Sequence, residues 1–248
     1  MQQEFKIGCS GFYNRHWKKI FYPENMPQSK WLNFYCEHFK TLELNVTFYR
    51  FPTEKTFQGW YNKSPDDFLF SVKAPRLITH LKKFNDCTRF ISDFYLTCEK
   101  GLKEKLGCVL FQLPPNIHYS EEKLEKIADS LDPAFNNVIE FRHPSWWNED
   151  VYKYLEERNL IFCSVSHPKL PEDIITTTQT AYIRLHGKPE MFYSDYSHKF
   201  LKDLADNVLK NEKTKEAFIY FNNTAGTAGI LNALELQKMI TILSHSTL

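Results

Sequence analysis

The 248 residues of this chain are 42% apolar and 25% charged, which is typical of a globular protein and excludes disordered and collagen-like classes. Lysine and arginine number 31 against 30 aspartate and glutamate, so the net charge of +1 provides no overall field for extended duplex nucleic acid or an anionic membrane. Any affinity for anions must therefore come from a local group of basic residues. At about 150 residues per domain, the length allows one large domain or two small ones.

The first residues contain no basic segment followed by an apolar run, and no stretch of the chain approaches the ~18 apolar residues of a membrane span. We therefore expect a cytoplasmic protein with no membrane association. The six cysteines show neither C-x-x-C nor zinc-finger spacing, which indicates reduced core residues. They are Cys9, Cys36, Cys87, Cys98, Cys108 and Cys163.

Short β-rich runs recur along the chain and alternate with segments of helical periodicity, a pattern typical of βα units. The predicted strands are 5–9, 41–44, 68–73, 108–113, 138–141, 160–165, 181–185 and 217–221. The predicted helices are 27–39, 53–63, 89–105, 120–130, 148–158, 195–209 and 229–243. Only the interval after the sixth strand lacks a helical pattern.

Local signals at two helix starts agree with this pattern. Ser120 and Asn148 each precede two acidic residues, as helix N-caps do. No linker or composition shift divides the chain. The sequence therefore predicts an α/β fold, a TIM-type (β/α)8 barrel in a single domain over residues 1–248 with an irregular sixth βα unit. An open doubly wound sheet is the alternative.

Polar residues occupy the ends of the predicted strands, where a barrel of this type places its active site. Four strands end with two polar residues that are two positions apart and so share one face. These pairs are Glu43 with Asn45, Ser71 with Lys73, Glu140 with Arg142, and Arg184 with His186. Strand four adds Gln112, and strand eight adds Asn222.

The charged residues at these ends have two interpretations. An unpaired buried charge is strongly destabilising, so Glu43 and Glu140 could pair with Lys73, Arg142 or Arg184 in a structural network. The same residues could instead line a ligand site, which we favour because the loops leave this end of a barrel open. The two interpretations are compatible.

Two further segments could contribute to a site at this end. The run from Asn222 to Gly229, which includes Asn223, is rich in small residues and precedes a helix, so its backbone N–H groups could face an anion. A tight turn with a helix cap explains the glycines equally well. Trp146 and Trp147 follow His143 and could stack on a base or sugar, although packing in the core is the commoner role of a single ring.

Motifs distributed along almost the whole chain resemble those of the DUF72 (YecE-like) family of uncharacterised proteins. They include GCSGFY (8–13), ELNVTFY (43–49), FSVKAPR (70–76), LFQLPP (110–115), EFRHPSW (140–146), YIRLHG (182–187) and YFNN (220–223). The resemblance implies a TIM-type barrel but no reaction. It selects the strand ends found above together with His143. Thr224 and Ala225 stand where the family often has further polar residues.

From these features we expect an enzyme that acts on a small anionic substrate, phosphorylated or carboxylated and possibly sugar-derived, by carboxylate acid/base chemistry. The predicted catalytic residues are Glu43, Glu140, His186 and Lys73. The predicted substrate-binding residues are Asn45, Gln112, Arg142, His143, Trp146, Arg184, Asn222 and Asn223. We predict no cofactor and no metal.

Two alternatives remain at this stage. The first is a metal-dependent hydrolase or isomerase in which Glu43, Glu140 and His186 bind a divalent ion beside His80 or His143. The nearby lysine and arginine residues argue against a cation site, and no metal-binding motif is present. The second is a non-catalytic barrel that binds a nucleotide or single-stranded nucleic acid through aromatic stacking and local cations.

Overall fold

The computed structural model describes residues 3–246 and has the predicted architecture, a nearly closed TIM-type (β/α)8 barrel. All strand pairs are parallel, in the order β1-β8-β7-β6-β5-β4-β3-β2. Predicted and observed strand ends agree within two residues. The strands are β1 (Glu4–Cys9), β2 (Thr41–Leu44), β3 (Leu69–Lys73), β4 (Leu106–Gln112), β5 (Asn137–Glu140), β6 (Ile161–Ser166), β7 (Thr180–Leu185) and β8 (Glu216–Phe221).

The helices surround the strands, and positions 167–179 between β6 and β7 contain none, as predicted. The α-helices are α1 (Trp31–His38), α2 (Val46–Tyr49), α3 (Glu54–Tyr61), α4 (Thr88–Leu102), α5 (Glu121–Asp129), α6 (Glu149–Glu157), α7 (His198–Leu209) and α8 (Ala228–Ser246). Short helical turns lie at Arg15–Trp17, Gln28–Lys30, Lys103–Lys105 and Pro144–Trp146, and a π-helical turn at Leu77–Leu81. The sequence did not predict α2 or the π-helical turn.

Both predicted N-caps are confirmed. Ser120 Oγ accepts a hydrogen bond from the backbone N–H of Lys123 at 3.4 Å, and Asn148 Oδ1 accepts one from Val151 at 3.0 Å. Each side chain satisfies a backbone donor that the first turn of a helix leaves without a partner. These caps fix where α5 and α6 begin.

The apolar residues form two layers because side chains alternate along each strand. Along β4, Val109 and Phe111 belong to a large cluster that includes residues of the helices, whereas Cys108 and Leu110 belong to a smaller cluster made almost entirely of strand residues. The smaller cluster is therefore the barrel interior. Gln112 continues the inward face of β4 to the C-terminal end of the barrel.

Strands β1 and β2 meet at a seam that a tyrosine bridges. Tyr35 of α1 is fully buried, and its hydroxyl accepts a 2.8 Å hydrogen bond from Cys9 N and donates a 3.2 Å bond to Thr41 O. Gly8 permits this approach, since a Cβ there would lie 2.3 Å from Thr41 O. The hydroxyl group therefore connects the two strands at the point where the barrel closes.

All six cysteines are buried and free of disulfide bonds, as the sequence indicated. Among the helices of residues 3–246, none has the length and apolar character needed to cross a bilayer.

Candidate active site at the barrel mouth

A network of buried charges crosses the C-terminal part of the barrel. Arg184 is fully buried and donates three hydrogen bonds to the Glu43 carboxylate, at 2.6, 2.9 and 3.2 Å. Its Nη1 donates to Glu140, which also forms an ion pair with Arg142. The Tyr182 hydroxyl donates to the second oxygen of Glu43 at 2.7 Å. The structure thus brings together the carboxylates of β2 and β5 and the arginine of β7.

The electrostatics of this network favour its charged form. Burial alone would raise the pKa of Glu140, but the guanidinium groups of Arg142 and Arg184 outweigh it and hold that pKa well below its usual range. Burial opposes the charge of Arg184 as well, but Glu140 and Glu43 keep its pKa above the ordinary value. Glu140 is therefore an ionised group that holds two arginines in place.

His186 connects this network to the loop that follows β8. Its Nε2 lies 3.2 Å from Glu140 Oε1 and 3.1 Å from Arg142 Nη2, and its Nδ1 lies 2.8 Å from the Asn222 amide nitrogen. Burial, together with the nearby Arg142, lowers the pKa of His186 well below its usual value, so the ring is neutral. With Nδ1 accepting from Asn222, the proton lies on Nε2 and points toward Glu140.

Lys73 stands beside this network without belonging to it. Its Nζ donates a 2.6 Å hydrogen bond to Gln112 Oε1 and lies 4.2 Å from the centre of the Phe48 ring. Among residues 3–246, no carboxylate oxygen lies within 4.0 Å of this amine, the longest distance of an ion pair. Burial, reinforced by the charge of Arg184, lowers the pKa of Lys73 to about 7, although Glu140 and Glu43 oppose the shift.

A cavity of about 550 Å³ opens beside Gln112 and Arg142. The loops after β4 to β7 enclose it. Its polar lining consists of Gln112, Arg142, His167, Lys169 and Glu190. Its apolar lining consists of Pro115, Pro168, Pro189 and Met191. The lining thus combines the cations Arg142 and Lys169 and the carboxylate of Glu190 with apolar residues, a composition typical of small-molecule sites.

Comparison with known proteins identifies the family. Residues 6–247 match a family described as "Protein of unknown function DUF72". The chain belongs to the DUF72 family. It is also 31% identical to a DUF72 family protein of Thermotoga maritima MSB8, whose crystal structure superposes with a TM-score of 0.88 over 96% of this chain and 100% of that one.

Three further proteins are also similar to this chain. A DUF72 family protein of Enterococcus faecalis V583 is 20% identical, with a TM-score of 0.82 over 96% of this chain and 95% of that one. The UPF0759 protein YunF of Bacillus subtilis (strain 168) is 23% identical over 95% of this chain and 94% of its own length. The UPF0759 protein YecE of Escherichia coli (strain K12) is 32% identical over 46% of this chain and 42% of its own length.

Several residues at the DUF72 motif positions lie at the mouth as predicted. The connected network described above consists of Glu43, Glu140, Arg142, Arg184, His186 and Asn222. Lys73 and Gln112 form a separate hydrogen-bonded pair beside it. Asn45 adjoins the network, since its Nδ2 lies 3.5 Å from both Asn222 Oδ1 and Ser10 O.

Three other predicted binding residues lie elsewhere. The Trp146 ring is fully buried and stacks on Phe141 at 4.2 Å, so it has no surface on which a ligand could stack. Its Nε1 donates to Ile117 O at 2.8 Å. The structure thus corrects the expectation that Trp146 contacts a ligand: a large apolar ring after Phe141 gains more by packing in the core than by facing the cavity.

His143 and Asn223 have structural contacts. The His143 ring stacks on His118 at 3.7 Å, and its Nδ1 accepts from Ser145 N at the start of the turn that follows β5. Asn223 is fully buried, and its Nδ2 donates to Ser194 O at 2.9 Å and to Asn232 Oδ1 at 3.2 Å. Both residues hold loops in place around the mouth.

Sequence reasoning missed two residues at the mouth. Tyr182 precedes Arg184 by two positions, so strand alternation could have placed it on the same inward face. His167 follows β6 directly, but the predicted strand ended at residue 165, so His167 was not considered as a strand-end residue. Its ring lies 5.9 Å from that of His186, and burial lowers its pKa to about 4.

No group of three or more histidine, cysteine, aspartate or glutamate side chains in the described residues is arranged to hold a metal ion. His186 contacts Glu140, and Glu140 is linked to Glu43 through Arg184. Their donor atoms, however, already face Arg184, Arg142 and Tyr182.

Proposed function

We propose that this DUF72 protein is an enzyme that binds a small phosphorylated or carboxylated molecule at the barrel mouth, with Lys73 as the residue that transfers a proton. The observation that carries the proposal is the environment of Lys73. Lys73 is 8% exposed, and its amine lacks a carboxylate partner among the described residues and has its pKa lowered to about 7. A general acid or base works best when its pKa is near the operating pH.

Lys73 suits proton transfer better than the two carboxylates that the sequence also singles out. Glu43 and Glu140 are fully buried, and hydrogen bonds or ion pairs engage both oxygens of each. Protonating Glu140 would break its pairing with two arginines. The carboxylates instead position Arg184 and Arg142, and so set the field around the Lys73 amine.

Arg142 is the residue that we assign to the anionic group of the substrate. It lines the cavity, its side chain is 11% exposed, and its Nη2 lies near the neutral His186. Glu140 contacts the guanidinium group at Nε, and the same side chain lines the cavity. Planar guanidinium groups bind carboxylate and phosphate through paired hydrogen bonds.

Turnover in a mixture of phosphorylated and carboxylated metabolites, followed by mass spectrometry, tests this proposal. We expect the wild-type protein to consume at least one compound, Lys73→Met to abolish the reaction and Arg142→Met to raise KM more than it lowers kcat. Lys188→Met, which changes an exposed lysine after β7, is the matched control. Turnover that survives in Lys73→Met would overturn the assignment, and the absence of any turnover by the wild type would overturn the enzymatic function.

A further inference from the structure

We propose that Lys73 is also a nucleophile, and that the substrate is a carbonyl compound with a carboxylate or phosphate group that forms a Schiff base with the Lys73 Nζ. The inference rests on the proposed anion site at Arg142. It names the class of substrate that the mouth would accept.

Lys105 shows what a structural buried lysine looks like in this protein. It is 2% exposed, and its Nζ donates to Tyr61 O at 2.9 Å, Ser64 O at 2.8 Å and Ser64 Oγ at 3.2 Å. Each of its three N–H groups therefore has an acceptor.

Lys73 lacks such a set of three acceptors, although it is almost as buried as Lys105. It has one hydrogen-bond acceptor in the described residues, the neutral amide of Gln112, and an aromatic ring on another side. The acceptors around it are already used, since Glu43 and Glu140 bind Arg184 and Arg142. Of the three directions at the nitrogen besides its bond to Cε, one therefore remains for a reactant. A desolvated amine beside other cations is the usual arrangement of an imine-forming lysine.

The lowered pKa of Lys73 supports its proposed role as a nucleophile. Burial and Arg184 lower the pKa of Lys73 to about 7, so a large fraction of the amine is unprotonated at neutral pH. Only the unprotonated nitrogen has the lone pair that attacks a carbonyl carbon. Gln112, which holds the amine, also lines the cavity next to Arg142. An anionic group at Arg142 would thus bring an attached carbonyl group toward Lys73.

Formation of the Schiff base at Lys73 needs no oxidant or reductant. The nitrogen lone pair forms the C–N bond, while the carbonyl oxygen gains a proton and the nitrogen loses one to give a carbinolamine. The hydroxyl group then leaves with a second proton as water, and the C=N bond forms. The net change is one amine and one carbonyl converted to one imine and one water.

Reductive trapping tests the inference. The protein is incubated with pyruvate, 2-oxoglutarate or glyceraldehyde 3-phosphate, reduced with sodium borohydride and analysed by intact and peptide mass spectrometry. We expect one covalent adduct, located on Lys73, with at least one of the three probes. L-lactate, which has the carboxylate of pyruvate but no carbonyl group, should give none. Lys73→Arg should abolish the adduct, and Lys188→Arg, on an exposed lysine, should retain it.

Isothermal titration calorimetry with the same probes, without borohydride, separates the two proposals. Binding that needs Arg142 but gives no adduct on Lys73 would overturn the nucleophile and leave the anion site intact. Neither binding nor an adduct would overturn both. An adduct spread over surface lysines and unchanged in Lys73→Arg would also overturn the inference, and thermal unfolding of Lys73→Arg checks that this variant is folded.

Discussion

The amine of Lys73 lies 2.6 Å from the side-chain oxygen of Gln112, a neutral partner, although two carboxylates are present at the same end of the barrel. Those carboxylates are bound by Arg184 and Arg142. The mouth therefore contains an ion network in which Glu43 and Glu140 are paired with arginines, and a buried amine whose hydrogen-bond partner, Gln112, lines the cavity.

The ion network should be essential to stability. In Arg184→Met, the fully buried Glu43 and Glu140 lose their shared partner, so we expect the free energy of unfolding to fall by about 3–5 kcal/mol. Urea denaturation followed by circular dichroism measures this change. The control is Arg158→Met, which removes an exposed ion pair with Asp129 and should change the free energy by less than about 1 kcal/mol. Equal effects of the two variants would contradict a structural role for the network.

The seam between β1 and β2 gives a second prediction. Tyr35→Phe removes the hydroxyl that joins Cys9 N to Thr41 O and leaves a buried backbone N–H without its acceptor. We expect a loss of about 1–3 kcal/mol in the free energy of unfolding. Tyr61→Phe, whose hydroxyl contacts Glu104 at the surface, is the control and should have little effect. Hydrogen exchange at Cys9 should be faster in Tyr35→Phe, and unchanged protection there would argue against the bridge.

The sequence predicted the strands and the strand-end residues because both depend on local patterns. Alternation places Glu140 with Arg142 and Arg184 with His186 on inward faces, whatever the rest of the chain does. One interpretation of the charged cluster was that Glu43 and Glu140 pair with nearby cations. The spacing could not choose between Arg184, Arg142 and Lys73 as their partners. That choice depends on side-chain reach across the barrel.

The orientation of aromatic rings was not predictable from local pattern. Trp146 follows a strand end and stands in a loop, as a ligand-stacking residue would, yet Phe141 and Ile117 provide an apolar surface and a carbonyl acceptor that draw it into the core. The sequence did not predict the short helix α2, because four residues are too few to show a helical periodicity of apolar residues. Phe48 of this helix nevertheless contacts Lys73.

The burial of Lys73 should make stability depend on pH. Its pKa is about 7 in the folded protein and 10.5 in a solvated chain, so between these values the unfolded state binds more protons and stability rises with pH. Relative to Lys73→Met, we expect the free energy of unfolding of the wild type to rise by about 3 kcal/mol from pH 7 to 10. A pH-independent difference would contradict the lowered pKa. The groups whose charges act on this amine are Arg184, Glu140, Glu43 and Arg142.

The protonation state of His186 is a fourth prediction. Burial and Arg142 lower its pKa, and Asn222 donates to its Nδ1, so ¹⁵N NMR should show a neutral ring with the proton on Nε2 at pH 6, below the ordinary histidine pKa of 6.5. Asn222→Asp should move a proton to Nδ1 and raise the pKa, because a carboxylate accepts from that nitrogen and stabilises the imidazolium form. Asn222→Ala should leave the ring neutral. A charged ring in the wild type at pH 6 would contradict this assignment.

The titration of Lys73 tests the central claim most directly. The ¹³Cε chemical shift of Lys73, assigned by its absence in Lys73→Arg, can be followed by NMR in lysine-labelled protein, with Lys188 as an exposed reference in the same spectra. We predict a midpoint near pH 7 for Lys73. A midpoint near the ordinary lysine value of 10.5 would show that the amine is charged at neutral pH and would contradict its assignment as the reactive group of the barrel mouth.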